Sequence, residues 1–353
     1  MSIIRMVFSN PSFTITDTDI IGENFSLAES ICSTSPLMYG GCENTSIKTT
    51  LVKKSKYSDL VGKTFYLIYD GLNRGYFNVY SCKPSTDRTT LEMVAYGTSY
   101  NYYEKDISSW YNSFLANNSK TVKAIRNDLA SHLGLVEAST SLISDDVVIK
   151  GGNTVSDVIK CREMFKAIAE INGRFCQIVN SGSTGIVSYK LIEDISTKYI
   201  YPSTALYPSA ELFPFEKTVN NGDVYLSIEY EDFKTNPITD VRIQSGSADY
   251  HYGPGYGDPF NCYTIKNNVL LQNVESISLM TIAHNFFGYA KGLIYQPVNN
   301  LVMIHDNSLN VGDVLRIQTI DDEIIDTIIL EKTISGVNML TDTITARGAF
   351  VYN

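Results

Sequence analysis

The feature that most constrains this chain is a switch in hydrophobic period. Apolar residues recur at every second position towards both ends and at helical spacing only between about residues 106 and 200. Strands alternate faces with period two and helices repeat at 3.6, so the order predicted is β, then α+β, then β. Ile47, Thr49 and Leu51 share one face of an extended segment, with Lys48 and Thr50 on the other. Phe65 to Tyr69 ends in Asp70-Gly71 and resumes at Tyr76 to Tyr80, which predicts a hairpin with a longer loop. Leu91, Met93 and Ala95 alternate with Glu92 and Val94, and no long helix is expected before residue 105.

In the middle stretch, Val122, Ile125, Leu129 and Leu133 predict a helix stopped by Gly134. A second helix is expected over 154–171, with Val155, Val158, Ile159, Phe165, Ile168 and Ala169 on one side. Arg162, Glu163, Lys166 and Glu170 lie largely opposite, Asn153 or Thr154 caps the start, and Asn172-Gly173 closes it. A hairpin follows, Phe175 to Val179 and Ile186 to Leu191 around Ser181-Gly182-Ser183. From about 201 the chain reads as β: Tyr225 to Phe233 and Ile238 to Gln244 flank the breaker Asn236-Pro237. Ser245 to Asn261 reads as a long Gly/Tyr-rich loop. The end reads as a meander: Val314 to Thr319, Ile324 to Leu330 and Met339 to Ala346, with turns at Asp321-Asp322 and Ser335-Gly336.

With 353 residues the chain exceeds one compact core, and the predicted divisions are 1–105, 106–200 and 201–353, the last contributing strands back to the others. A 44% hydrophobic and 19% charged composition excludes a disordered chain, and 23 Gly with 10 Pro excludes a collagen-like one. The net charge of −10 argues against a sequence-specific DNA binder, whose affinity comes from neutralised phosphates. No apolar run approaches the roughly 20 residues of a membrane-spanning helix, so no stable membrane insertion is expected. The N-terminal stretch to Phe8 is short for a signal peptide and is interrupted by Arg5, so the Asn24 and Asn44 sequons carry no weight. Cys32, Cys42, Cys82, Cys161, Cys176 and Cys262 are scattered without CxxC, as buried thiols made in a reducing cytoplasm are.

Candidate chemistry is sparse. His132, His251, His284 and His305 show no HxH, HExxH or His–Cys spacing, and Asp17-Thr18-Asp19 lacks the rest of a calcium loop, so no metal is expected. Gly182-Ser183-Thr184-Gly185 is one residue short of a nucleophile elbow, and Cys161 and Cys176 read as core thiols. Glu229 and Glu231 would project from one strand face with Asp232 on the other. That spacing of about 7 Å is compatible with a glycosidase pair, but acidic residues are common on solvated strand faces, which is the reading preferred here, and Asp321-Asp322-Glu323 reads as a polar turn between apolar strands. Gly253-Pro254-Gly255-Tyr256-Gly257 lacks the Lys-Ser/Thr pair of a phosphate loop. Tyr250, Tyr252 and Tyr256 with His251 make either an incidental loop or a stacking surface for sugars or a partner. Lys53, Lys54, Lys56 and Lys63 form a solvated basic cluster or an acidic-partner site. No catalytic, cofactor-binding or metal residue is assigned, no cofactor is expected, and the chain is expected not to be an enzyme.

The ordered motifs go further. Asp19-Ile20, Phe25 to Ser30, Cys32, Gly41-Cys42 and Ile47 to Leu51 resemble the opening of the phage tail and baseplate hub family. This is the tail-tip hub of Firmicute phages, prophages and phage-tail-like bacteriocins. Leu60 to Lys63, Tyr76 to Val79, Trp110-Tyr111, Leu133 to Leu135 and Val158 to Phe175 continue the resemblance, while Gly97 stands where the family often has Asp. The tandem Leu206-Tyr207-Pro208-Ser209 and Leu212-Phe213-Pro214 resembles a doubled Leu-Tyr-Pro motif. Glu229 to Phe233, Asn261 to Ile265 with Asn268, and Val311 to Asp313 follow in family order.

The resemblance implies a mainly β fold with an α+β insertion, in which two tail-tube-like β-barrel domains are separated by smaller ones. It implies a homotrimer whose repeated barrels form a pseudo-sixfold ring. That ring joins a hexameric tail tube or distal tail protein to a trimeric spike or fibre protein. The tape-measure protein and DNA would pass through the channel, DNA without specific binding, and acidic lumen residues would prevent sticking. The expected location is the tail tip or baseplate of a virion or tail-like particle assembled in a bacterial cytoplasm. Ending at Asn353 without a long extension, the chain is expected to leave spike and cell-wall activity to a separate polypeptide, as a short contractile-type hub does. The competing readings are a carbohydrate- or receptor-binding tail-tip protein, resting on the tyrosines of 245–261, and a cell-wall glycosidase using Glu229 and Glu231.

Overall fold

The computed structural model describes residues 3–32, 38–57, 59–115, 118–139, 141–151, 157–181, 184–192, 198–202, 224–246, 248–253, 261–272, 274 and 276–348. Among the described residues the first region contains seven strands: β1 (Ile4–Ser9), β2 (Ser12–Thr16), β3 (Ile20–Ser30), β4 (Ser46–Val52), β5 (Thr64–Tyr69), β6 (Leu72–Pro84) and β7 (Thr90–Gly97). Their period-two alternation is real: Ile47, Thr49 and Leu51 are buried while Lys48 is exposed, and Leu91, Met93 and Ala95 are buried. Each strand turns one face towards a shared core that includes Met6, Phe25, Leu27, Phe65, Leu67 and Phe77. A sheet with one common apolar face must curl around it.

The β5–β6 connection is tighter than its composition suggests. Instead of a longer loop, Tyr69 pairs directly with Leu72, leaving Asp70-Gly71 as a two-residue turn. Both turn residues have positive φ, 48° and 75°, which matches the strand twist as a primed hairpin turn does. The strand then runs on through a bulge after Tyr66, so residues 72–75 belong to the ladder.

The middle stretch contains α1 (Ser99–Tyr103), α2 (Ser108–Leu115), β8 (Lys120–Thr121), α3 (Val122–Leu133), β9 (Leu135–Glu137), β10 (Val148–Ile149), α4 (Cys161–Glu170), β11 (Phe175–Ser181) and β12 (Thr184–Lys190). Thr121 caps α3 through its hydroxyl, and Gly134 ends it in the left-handed conformation at φ 70°. The second expected helix is shorter than its apolar periodicity: it starts at Cys161, not near residue 154. Lys160 is extended, and the Glu163 side chain caps its backbone N–H. Backbone bonds pin this approach, Ile107 N–H to Ile159 C=O and Cys161 N–H to Lys105 C=O, leaving Val158 63% exposed. Asn153 and Thr154 lie outside the described residues, as do Gly182 and Ser183.

The last region contains β13 (Lys198–Pro202), β14 (Val224–Tyr230), β15 (Asp240–Ser245), β16 (Ala248–Tyr252), β17 (Cys262–Lys266), α5 (Ser276–Ala290), β18 (Val298–Ile304), β19 (Val314–Gln318), β20 (Ile324–Ile328), β21 (Glu331–Ser335) and β22 (Thr341–Ala346). Three expectations change here. The region is not all β, because α5 runs fifteen residues and buries Leu279, Ile282, Ala283 and Phe286. The stretch 245–261 is not one loop, because β16 pairs antiparallel with β15. The end is not a meander: β20 and β21 are not neighbours, and β21 lies between β3 and β22. Buried Ile329 and Leu330 carry the chain from one partner to the other.

Among the described residues, strand pairing joins the two β regions into one fourteen-stranded order, β2-β1-β5-β6-β7-β4-β3-β21-β22-β18-β14-β13-β19-β20. The bridge is β3 with β21, Leu27 opposite Ile334. A second apolar cluster runs through the middle helices, α5 and the final strands together. The Leu-Tyr-Pro tandem at 206–214 lies outside the described residues.

Candidate functional site

The bridge is locked by a buried polar network. Lys332 on β21 and Asp342 on β22 have side chains 1% and 0% exposed, at positions whose parity points inward. Lys332 Nζ donates to the Asp306 and Leu309 carbonyls, 2.9 Å each, and lies 3.1 Å from Asp342 Oδ2. Asp342 Oδ1 faces His305 Nδ1 at 2.6 Å, while Oδ2 accepts the Asp306 N–H at 3.0 Å. From the first region, Arg74 reaches His305 and Asn307, and Asn307 Nδ2 donates to Asp70 Oδ2. Tyr69 stacks on the His305 ring at 6.2 Å and donates its hydroxyl to Gly336 C=O. Burial pushes the Tyr69 phenol up. The Asp70-Gly71 turn and the 305–342 segment therefore meet in one hydrogen-bonded seam. Lys–Asp–His is a combination that catalysis uses, but here the groups bond one another and the backbone.

The middle region has its own buried ion. Arg126 on α3 is 1% exposed and grips Asp145 bidentately, 2.8 Å on each arm, with Glu137 Oε2 at 2.9 Å and Ser139 C=O at 3.0 Å. Burial opposes the charge on Asp145, yet the guanidinium and the Leu142 amide hold its carboxyl below the ordinary value.

Two edges and one aromatic face look outward. Strands β2 and β20 end the sheet order and pair on one side only among the described residues. Ile320 and Ile324 beside and on β20 are 44% and 52% exposed. On the outer face of β6 and β7, Tyr80, Tyr96 and Tyr100 cluster with ring centroids 5.0–6.2 Å apart. A polar cleft of about 530 Å³ lies between α4 and residues 267–272, lined by Asp157, Glu163, Lys166, Glu170 and Asn268 among others.

The structure disperses most of the sequence candidates. A bulge separates Glu229 from Tyr230, β14 stops there, and Glu231 accepts a bond from Asn299, so the two glutamates do not continue one strand face. Lys54 pairs with Asp19, Lys56 lies over Tyr57 and Phe13, and Lys63 is 3.9 Å from Asp59, so the basic cluster is largely locally engaged. Five cysteines are buried and Cys82 is half-buried, all unpaired; burial pushes the Cys161 and Cys176 thiols up, away from nucleophilic character. Tyr252 packs against His284 and Phe287 of α5, and residues 254–260, with Tyr256, lie outside the described residues. His132 stacks on Trp110. His251, isolated in sequence, is brought beside Asp240 and Cys262. Sequence reasoning missed Arg126, Lys332 and Asp342. A charged residue on the apolar parity of an alternating strand was the available signal for the last two.

Among the described residues, no helix is long and apolar enough to cross a membrane. No family model matches the chain, and no curated protein matches it. Solved structures do. The 43 kDa tail protein of prophage MuSo2 from Shewanella oneidensis superposes with TM-score 0.56 at 9% identity, over 97% of this chain and 96% of that one. A tail protein from Neisseria meningitidis gives 0.60 at 9%, over 99% and 97%. A prophage tail protein from Listeria monocytogenes gives 0.50 at 10%, over 97% and 94%. At such identity the likeness speaks of fold: the chain is mainly β and has the fold of these phage tail proteins.

Proposed function

We propose that the protein is a structural hub of a phage tail or phage-tail-like particle. In this reading three copies form a pseudo-sixfold ring at the tail tip or baseplate. The ring joins a hexameric tail tube to a trimeric spike or fibre, acts as no enzyme, and encloses part of the channel. The observation that carries the proposal is the near end-to-end fold likeness to tail proteins, 97–99% of this chain against 94–97% of theirs. Two further features support it. A ring needs strand edges that another subunit can continue, and β2 and β20 offer them. A channel for DNA needs a surface that does not bind it, and the net charge of −10 suits that.

The test is imaging of the chain co-expressed with its neighbouring tail proteins, with native mass alongside. The expected result is a trimer of sixfold outline capping a tube. A chain that stays monomeric in the presence of both tube and spike proteins overturns the reading. Ile324→Asp should weaken ring formation at least tenfold if β20 is a docking edge, while changing stability by no more than about 0.5 kcal/mol. The Tyr80–Tyr96–Tyr100 face favours a second reading, a carbohydrate- or receptor-binding tail-tip protein. Saturable glycan binding lost in Tyr80→Ala, without tube assembly, would favour it.

A further inference from the structure

The small sheet β16-β15-β17 has two chemically different faces. Val241, Ile243, Tyr263 and Ile265 belong to the core. The alternate positions carry Asp240 and Arg242 on β15, His251 on β16 and Cys262 and Thr264 on β17. The parallel register sets Asp240 opposite Cys262, and the antiparallel one sets Arg242 opposite His251. One ligand atom from each of Asp240, His251 and Cys262 therefore falls within 4.8 Å of the others, and His251 Nδ1 is 3.1 Å from Asp240 Oδ2.

The surroundings hold this geometry. The Asp240 and Thr239 amides donate to Asn261 C=O, and the Asn261 side chain is clamped on the Asn236 and Pro237 carbonyls. Gly253 crosses so closely that a Cβ there would lie 2.6 Å from Thr239 O and 2.7 Å from Asp240 Oδ1. Arg242 is taken up bidentately by Asp249, and among the described residues no Lys or Arg forms an ion pair with Asp240. Cys262 is 1% exposed.

We infer that Asp240, His251 and Cys262 bind one zinc ion through carboxylate, imidazole and thiolate, with the fourth tetrahedral position open to water beside the exposed His251. Carboxylate oxygen, imidazole and sulfur are the donor set zinc takes. Bond lengths of about 2.0–2.3 Å put tetrahedral ligand atoms about 3.3–3.6 Å apart, so closure from the present spread needs roughly 1 Å of side-chain movement. On binding, the Cys262 S–H bond breaks, its proton goes to solvent and an S–Zn bond forms, with no change of oxidation state. Two ligand charges of −1 then balance the +2 ion. The ion would staple the start of β15, the end of β16 and the start of β17 to one another. The inference stands apart from the tail-hub reading.

The test is titration of the metal-stripped full chain with Co²⁺, followed by displacement with Zn²⁺. The expected result is one equivalent of Co²⁺ bound, with a thiolate-to-cobalt charge-transfer band that Zn²⁺ removes. Cys262→Ala should abolish the band, His251→Gln should weaken binding at least tenfold, and Cys82→Ala should leave both unchanged. Absence of saturable binding, or a band surviving in Cys262→Ala, overturns the assignment. If Cys262→Ala does not fold, the exposed His251→Gln variant decides: unchanged affinity there is equally fatal.

Discussion

The two β regions differ in how far apart in sequence their strand partners reach and in what their cores bury. In the first, most strand pairings join segments near in sequence, β1 with β2, β5 with β6 and β6 with β7, and the core is almost wholly apolar. In the second, β13 pairs with β19 and β14 with β18, across a small separate sheet and a helix. The joint between the regions buries a lysine, an aspartate and a histidine. The first region is specified by packing of neighbours. The second needs groups that tolerate only one arrangement, because an unpaired charge in that seam would be severely penalised.

The largest effect should come from breaking the seam. Asp342→Ala leaves Lys332 buried without its carboxylate and should destabilise by about 3–5 kcal/mol. Urea unfolding measures it, and a loss below about 1 kcal/mol would mean that water reaches the joint. Leu67→Ala in the first core should cost about 2–4 kcal/mol by transfer and cavity terms. Hydrogen exchange separates the two cases: the seam variant should loosen β21–β22 and the Asp70-Gly71 turn together, whereas Leu67→Ala should loosen β1–β7. Equal loosening everywhere in both variants would erase the distinction.

Smaller changes sharpen it. Gly71→Ala places a Cβ at φ 75° in the two-residue turn and should cost about 1–2 kcal/mol, with β5–β6 register as the NMR readout. At Glu170 the effect has the opposite sign. Burial pushes this carboxyl from 4.5 up to about 7, against a favourable bond from Asn268. Its folded state holds a proton that the unfolded state releases, so stability falls as pH rises through that window and is fully reduced above it. Glu170→Gln should therefore stabilise the chain at pH 8 by about 1 kcal/mol and by less at pH 5, read from paired thermal melts.

Much of the local structure was legible. The alternation at Ile47–Leu51 and Leu91–Ala95 named buried faces correctly, and Gly134 ended its helix because only an αL residue lets the last carbonyls be capped there. Helix α5 was not legible. Ile277, Thr281, Ile282, Phe286 and Phe287 carry strand preferences, and the apolar residues surround much of the helix, so the 3.6 period is weak. Its helicity is favoured by packing on β15 and β16. The candidate metal site was illegible for another reason: Asp240, His251 and Cys262 have no ligand-like spacing until two different strand registers superimpose them.

By itself, then, the sequence determined the β, α+β, β order, the faces of individual strands and several of their ends, all consequences of interactions within a few residues. Only the tertiary structure decided that β21 leaves β20 to join β3, that Lys332 and Asp342 face each other inside the seam, and that His251 meets Cys262. Many alternating strands can pair equally well two at a time. The entropy of closing a long loop also rises only slowly with its length, so sequence distance does little to exclude a remote partner. The choice among partners falls to the simultaneous burial of every apolar face and the satisfaction of every buried charge, which no local window contains.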